Sequence, residues 1–249
     1  MVGADMRIAI LSDIHANIEA LRQVDAAVAG MGVGGVVCLG DVVGYGASPN
    51  ECCERVRALA PVTLLGNHDA AVSGRMDYRY YYDAARQALD WTAATLDPEH
   101  RAWLRALPYT HRQGEIGFSH GSPILPAEFE YIFAIEQAQE LAAHFERLAA
   151  VTFIGHSHLC KAFAMGARGD VEDVWAPRIA LDSRRKYVIS VGSVGQPRDY
   201  DSRACFVTYD LASRVVDYHR VPYDIEASAQ KIFDADLAFN FGRRLFLGV

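Results

Sequence analysis

Cysteine is sparse in this chain and unpaired in pattern: Cys38, Cys52, Cys53, Cys160 and Cys205 make an odd count with no C-x-x-C spacing. That excludes the disulfide framework of a small secreted domain and implies reduced thiols, hence a cytoplasmic location. Positive charge is also short, with 24 Lys and Arg against 31 Asp and Glu and a net charge of −7. A protein that grips nucleic acid or an anionic membrane through its overall field is therefore excluded, and no stable nucleic-acid partner is expected. No apolar run approaches the ~18 residues of a membrane span. The patch inside MVGADMRIAILSDIH is too short for a signal segment and is interrupted by Asp13. Met1 to Asp5 add little pattern, which makes Met6 a candidate start. Repeats, low-complexity tracts and Pro/Gly/Ser linkers are missing too, so residues 1–249 are expected to form a single domain.

What is present alternates. Arg7 to Leu11 reads as a strand, and Asn17 as the N-cap of a helix carrying Ile18, Leu21, Val24 and Val28. Gly35 to Leu39 reads as a second strand and Gly40 to Ala47 as a glycine-rich loop. Ser48-Pro49-Asn50-Glu51 reads as a capping box opening a helix to about Leu59. Val62 to Leu65 is a third strand. Residues 75–108 form a helical insertion restarted at Asp97-Pro98, followed by a strand pair over 109–119, a helix over 136–147 and a strand over Val151 to Ile154. Later strands fall at Lys186 to Val191, Ala204 to Tyr209 and Val215 to Val221, the last two joined as a hairpin. A helix over 225–236 and an apolar tail follow. On the residues alone this pattern favours an α/β domain with a largely parallel sheet covered on both faces.

Polar residues gather where the strands end. Asp13 and His15 follow the first strand, Asp41 the second, Asn67, His68 and Asp69 the third, His120 a later one, and His156 and His158 the strand at 151–154. Five of the nine histidines fall in these places, and loops leaving the carboxyl ends of parallel strands converge on one rim. Carboxylate, carboxamide and imidazole together suit manganese, iron, zinc or nickel, and the lack of a thiolate argues against a closed structural zinc site. These donors are too many for one ion with an open position and suit two, with Asp41 as the bridge; paired ions of this kind serve displacement at phosphorus.

The series D-x-H, G-D-x-x-G, G-N-H-D, H-G and G-H-x-H, spanning residues 13–158, resembles the calcineurin-like metallophosphoesterase superfamily. Gly192 to Asp199 (GSVGQPRD) resembles the closing motif of its small prokaryotic branch. The resemblance implies a four-layer α/β/β/α sandwich with two mixed sheets. It implies Asp13, His15 and His158 on one divalent ion, Asn67, His120 and His156 on another, and Asp41 shared between them. His68 would face the substrate as a proton donor or a stabiliser of developing charge. The implied activity is hydrolysis of a phosphodiester, phosphomonoester or nucleotide by a metal-bound hydroxide. The alternative is a non-catalytic scaffold of the same fold, against which the retained ligand set and His68 argue.

Where protein serine/threonine phosphatases of that superfamily carry an aspartate and an arginine after the bridging residue, this chain has Gly44 and Tyr45, which disfavours a protein substrate. Arg198 is a candidate phosphate contact. Tyr78, Tyr80, Tyr81 and Tyr82 are read mostly as packing or surface residues, with stacking on a nucleobase or walling the pocket as the alternative role. Cys160 is read as core. Specificity is expected to reside in 75–135 and 166–186.

Overall fold

The computed structural model describes residues 7–249; the candidate start Met6 lies outside the described residues. Twelve strands, β1 to β12, make two six-stranded sheets among the described residues. In the first, β1 (Arg7–Leu11), β2 (Gly35–Cys38) and β3 (Val62–Thr63) run parallel. On the far side of β1 the sheet continues antiparallel through β11 (Ala204–Asp210), β12 (Val215–Val221) and β9 (Arg178–Ala180). The second sheet has a parallel centre of β5 (Ile116–Ser119), β6 (Val151–Ile154) and β10 (Lys186–Val191). Antiparallel edges close it: β4 (Thr110–Gln113) on one side, then β7 (Cys160–Met165) and β8 (Val171–Asp173) on the other. The largely parallel sheet expected from the alternation is thus replaced by two mixed ones, because the chain beyond residue 160 adds hairpins rather than crossover helices.

Strand periodicity sorts the side chains into layers. In β1, Ile8 and Ile10 point between the sheets, where they meet Phe118, Phe153, Ile189 and Val207. Ala9 and Leu11 point the other way, against Leu21, Val24 and Val28 of α1 (Ile18–Ala29) and Cys52, Cys53 and Val56 of α2 (Pro49–Leu59). On the outer face of the second sheet, Ile154, Phe163 and Val188 pack on Ala138, Leu141 and Ala142 of α6 (Ile135–Ala142). The result is the four-layer α/β/β/α sandwich. Each large side chain buried between the sheets contributes on the order of 1.5–3 kcal/mol.

Local details depart from the pattern. Asn17 caps α1 as expected, accepting from the Ala20 N–H at 3.1 Å, but Ser48 makes no side-chain capping bond to α2. Asn50 instead reaches across to Thr95 and Asp97, tying α2 to the turn between α4 (Asp83–Thr95) and α5 (Pro98–Ala106). Residues 75–82 are not helical. β3 stops at Thr63, since the Leu65 N–H turns to the Pro108 carbonyl. Residues 67–72, just past the expected third strand, form the short helix α3 (Asn67–Val72). After α7 (Ile225–Asp234) the apolar tail forms a helix, α8 (Phe239–Leu247), which packs against α7 and presents Phe241 and Leu245 to Tyr45 and α4.

Candidate metal centre

Both sheets deliver polar residues from the carboxyl ends of their strands to one rim. Asp13 and His15 follow β1, Asp41 follows β2 and Asn67 opens α3; His120 follows β5, and His156 and His158 follow β6. Five of these seven adopt left-handed backbone: Asp13 (φ 54°), His15 (48°), Asp41 (52°), His156 (66°) and His158 (60°). Such conformations cost roughly 1–3 kcal/mol each in non-glycine residues and persist where the surroundings hold them. Here the holding bonds run from one loop to the next. The Asp13 N–H donates to Gly40 O at 3.0 Å and the His15 N–H to Asp41 O at 2.9 Å. The His156 N–H donates to Asp13 Oδ2 at 3.0 Å, and the His68 N–H to Asp41 Oδ1 at 2.9 Å.

Each carboxylate so anchored keeps its other oxygen for the centre. Asp41 Oδ2 lies 3.3 Å from His120 Nε2 and 3.6 Å from His15 Nε2. Asp13 Oδ1 lies 3.4 Å from His158 Nε2 and has no hydrogen-bond partner although it is buried. Three imidazoles are fixed from behind: Nδ1 of His15 donates to Val43 O (3.2 Å), that of His120 to Leu39 O (3.1 Å) and that of His158 to Gln196 O (2.6 Å). A carbonyl can only accept, so in each neutral ring Nε2 carries the lone pair. Two of those lone pairs then face other acceptors. His15 Nε2 and His158 Nε2 are 3.1 Å apart, and His120 Nε2 is 3.2 Å from Asn67 Oδ1, whose amide nitrogen is turned away to the Tyr81 hydroxyl. Acceptors opposed at that range need a cation or a proton between them. The donor atoms of Asp13, His15 and His158, and those of Asp41, His120 and His156, each lie within 4.8 Å of one another. The residues present therefore fit divalent metal ions. A third such group, His15, Asp41 and His68, overlaps both.

Protonation follows the same logic. Burial drives Asp13 upward, while His120, His68 and His15 hold Asp41 well below the usual carboxylate range against its own burial. Burial pulls His120 down, but Asp41 and Asp13 override it and push its pKa up to about 9. A proton on His120 is thus the positive charge that the acidic cage recruits for itself. Burial lowers His15, His156 and His158 well below the ordinary histidine value and takes His68 down to about 4.

His68 sits beside the cluster with its ring 4.9 Å from that of His15 and its Nδ1 buried without a partner. Asp69 does not orient it: the Asp69 carboxylate accepts from the N–H groups of Val42, Val43 and Gly66. Gly44 makes the approach possible, because at φ +92° a Cβ there would run into the His68 imidazole. Gly66 does the same for Asp41, whose carboxylate occupies the space of a Cβ.

The structure adds residues that the motifs did not single out. Tyr45 lies 4.4 Å from the His68 ring, and Tyr131 stacks on His156 at 3.8 Å with the planes 15° apart. Of the tyrosine run, Tyr81 reaches Asn67 whereas Tyr80 and Tyr82 are exposed. Arg198 lies at the rim, with its guanidinium 5.8 Å from the centre of the Tyr45 ring. Cys160 is buried, with its Sγ 3.4 Å from that of Cys205.

Residues 6–214 match the calcineurin-like phosphoesterase superfamily domain. An uncharacterised protein of Methanocaldococcus jannaschii is 36% identical over 245 residues, covering 97% of this chain and 98% of the relative. The crystal structure of a metallophosphoesterase from Sphaerobacter thermophilus is 35% identical with a TM-score of 0.83, covering 98% of this chain and all of that one (100%). A hypothetical protein of Pyrococcus horikoshii, 18% identical with a TM-score of 0.76 and 98% coverage of both chains, shares the fold. The chain belongs to the calcineurin-like phosphoesterase superfamily, whose members are in general metal-dependent phosphoester hydrolases.

Proposed function

We propose that residues 1–249 act as one domain, a dinuclear phosphoesterase that hydrolyses a small phosphodiester, phosphomonoester or nucleotide in the cytoplasm. The ions are drawn from manganese, iron, zinc and nickel. Asp13, His15 and His158 would hold one, Asn67, His120 and His156 the other, with Asp41 shared. The observation that carries this reading is the opposition of acceptors at His15–His158 and at His120–Asn67, beside the buried Asp13 Oδ1 that no hydrogen bond satisfies. When bound, such ions lower the pKa of water and offset charge on phosphoryl oxygens.

The chain's own residues do the rest. Water adds across the P–O bond, and the departing oxygen leaves with a proton. His68, largely neutral at pH 7, offers a ring N–H to that oxygen or to the charge developing on phosphorus. Its neutrality favours the second role. Tyr131 holds the plane of His156, and the backbone carbonyls of Val43, Leu39 and Gln196 fix the three tautomers. Five buried free thiols support the reducing compartment.

The test is release of p-nitrophenolate from bis-p-nitrophenyl phosphate with added manganese, and its loss in Asp41→Ala and His68→Ala. Absence of activity across manganese, iron, nickel and zinc, with mono-, di- and dinucleotide esters, would move the protein to a non-catalytic scaffold.

A further inference from the structure

Two arginines beside the candidate metal centre have no carboxylate partner among the described residues. Arg198, in the loop after β10, and Arg244, in α8, both direct guanidinium nitrogens to one neutral acceptor. Gln196 Oε1 accepts from Arg198 Nη2 at 2.7 Å and from Arg244 Nη1 at 3.3 Å. Arg198 Nε is buried and makes no hydrogen bond. Carboxylates are close at hand but committed elsewhere: Asp199 pairs with Arg220, and Asp201 with Arg203 and Arg220. Two half-buried like charges thus share one amide oxygen, with the Tyr82 hydroxyl the other polar group beside Arg244, and burial together with Arg198 draws Arg244 below the usual arginine range. A protein of net charge −7 keeps such a pair unneutralised at a cost that an anionic ligand would remove.

The pair is coupled mechanically to the cluster. The Gln196 carbonyl accepts from His158 Nδ1 at 2.6 Å, while the Arg198 N–H donates to the His158 carbonyl at 3.3 Å. Tyr45 stands between, its ring 4.4 Å from His68 and 5.8 Å from the Arg198 guanidinium. Paired guanidinium forks match the doubly charged, multi-oxygen face of a phosphoryl group better than a single carboxylate.

We propose that Arg198 and Arg244 form a second anion subsite that takes a phosphoryl group adjacent to the scissile one. The preferred substrate then carries two linked phosphoryl groups, as in a nucleoside diphosphate or another pyrophosphate ester. This rests on the phosphoesterase reading above, and it moves part of the specificity from the helical insertion to α8.

Adenosine diphosphate and adenosine monophosphate differ by that one group. Their inhibition constants against hydrolysis of bis-p-nitrophenyl phosphate by the manganese-loaded full chain read its worth. The wild type is expected to favour the diphosphate by roughly 10- to 100-fold, the range for charge-assisted bonds. The preference should collapse to about threefold or less in Arg198→Gln and Arg244→Gln, return in part in Arg244→Lys, and persist in Arg243→Gln, which alters an exposed neighbour on the same helix. Chelation of manganese by the nucleotides acts equally on wild type and variants, so the change in ratio is diagnostic. Equal loss of both affinities in the glutamine variants, an unchanged ratio, or no preference in the wild type would overturn the subsite. Should the wild type hydrolyse nothing, the phosphoesterase reading fails, and calorimetric titration of the same two nucleotides still decides this one.

Discussion

Replacing Asp41 with Asn keeps the shape of the bridge and its acceptor for the His68 N–H while removing the charge. His120 Nε2 lies 3.3 Å from Asp41 Oδ2. At an effective dielectric of about 20, a unit pair at that range interacts by about 5 kcal/mol. That is worth between three and four pH units at about 1.36 kcal/mol per unit. Asp13, 4.0 Å from His120, retains a smaller share, and burial continues to oppose the charge. His120, pushed up to about 9 in the metal-free protein, should therefore fall to ~6.5 or lower in Asp41→Asn. The consequence is a proton count. At about pH 8 the wild type must surrender about one proton from His120 when manganese binds, whereas the variant has already lost it. Calorimetry in two buffers of different ionisation enthalpy measures that difference, and imidazole NMR titration of the metal-free proteins reads the His120 pKa itself. An unaltered proton count, or a His120 that still titrates near ~9 in Asp41→Asn, would refute the account of what charges this site.

Further expectations concern acid, space and stacking. His68, with a folded pKa of about 4 against an ordinary value near ~6.5, contributes stability that is complete above ~6.5 and lost as pH falls toward about 4. His15, His156 and His158 shift the same way. His120 is the reverse: its contribution is present below ~6.5 and lost as pH rises through about 9. Urea unfolding of the metal-free protein should thus weaken by on the order of 3 kcal/mol from His68 alone between about pH 7 and pH 4. Asp13 and Asp69, raised by burial to about 6 and about 7, gain stability over the same window, so the His68 share is the difference between wild type and His68→Phe, and identical profiles for the two would contradict the burial of a neutral imidazole. Gly44→Ala should cost roughly 1–3 kcal/mol in thermal melts by driving a Cβ into His68. Gly74→Ala, also left-handed at φ +74° but facing open space, should cost only ~1 kcal/mol. Tyr131→Ala removes the stack on His156 and should lower metal affinity and stability by about 0.5–1.5 kcal/mol.

How much of this could be read from the chain varies with what each element responds to. β1, β6, β10 and β11 were legible as short apolar runs carrying β-branched residues, and α1 by its helical apolar period. β7 was missed: five of its six residues are buried, but CKAFAM contains no β-branched residue to mark it as a strand. The parallel sheet was over-called because crossover helices are visible in a sequence and antiparallel edges added later are not. The donors of the candidate centre were legible as motifs, since left-handed positions and close approaches restrict which residues can stand there. Tyr131, Tyr45 and Arg244 were not, because each acts through a tertiary neighbour far away in sequence; the only hint of Arg244 was an arginine pair inside an otherwise apolar tail.

The position of the cluster across the seam of the sandwich has a mechanical consequence. Asp13, His15, Asp41 and Asn67 belong to one sheet, His120, His156 and His158 to the other, so any ion seated among them is also a rivet. Chelation should loosen the rim at the ends of β1 and β6 before the apolar interior notices, and hydrogen exchange there becomes a gauge of occupancy that requires no knowledge of the substrate.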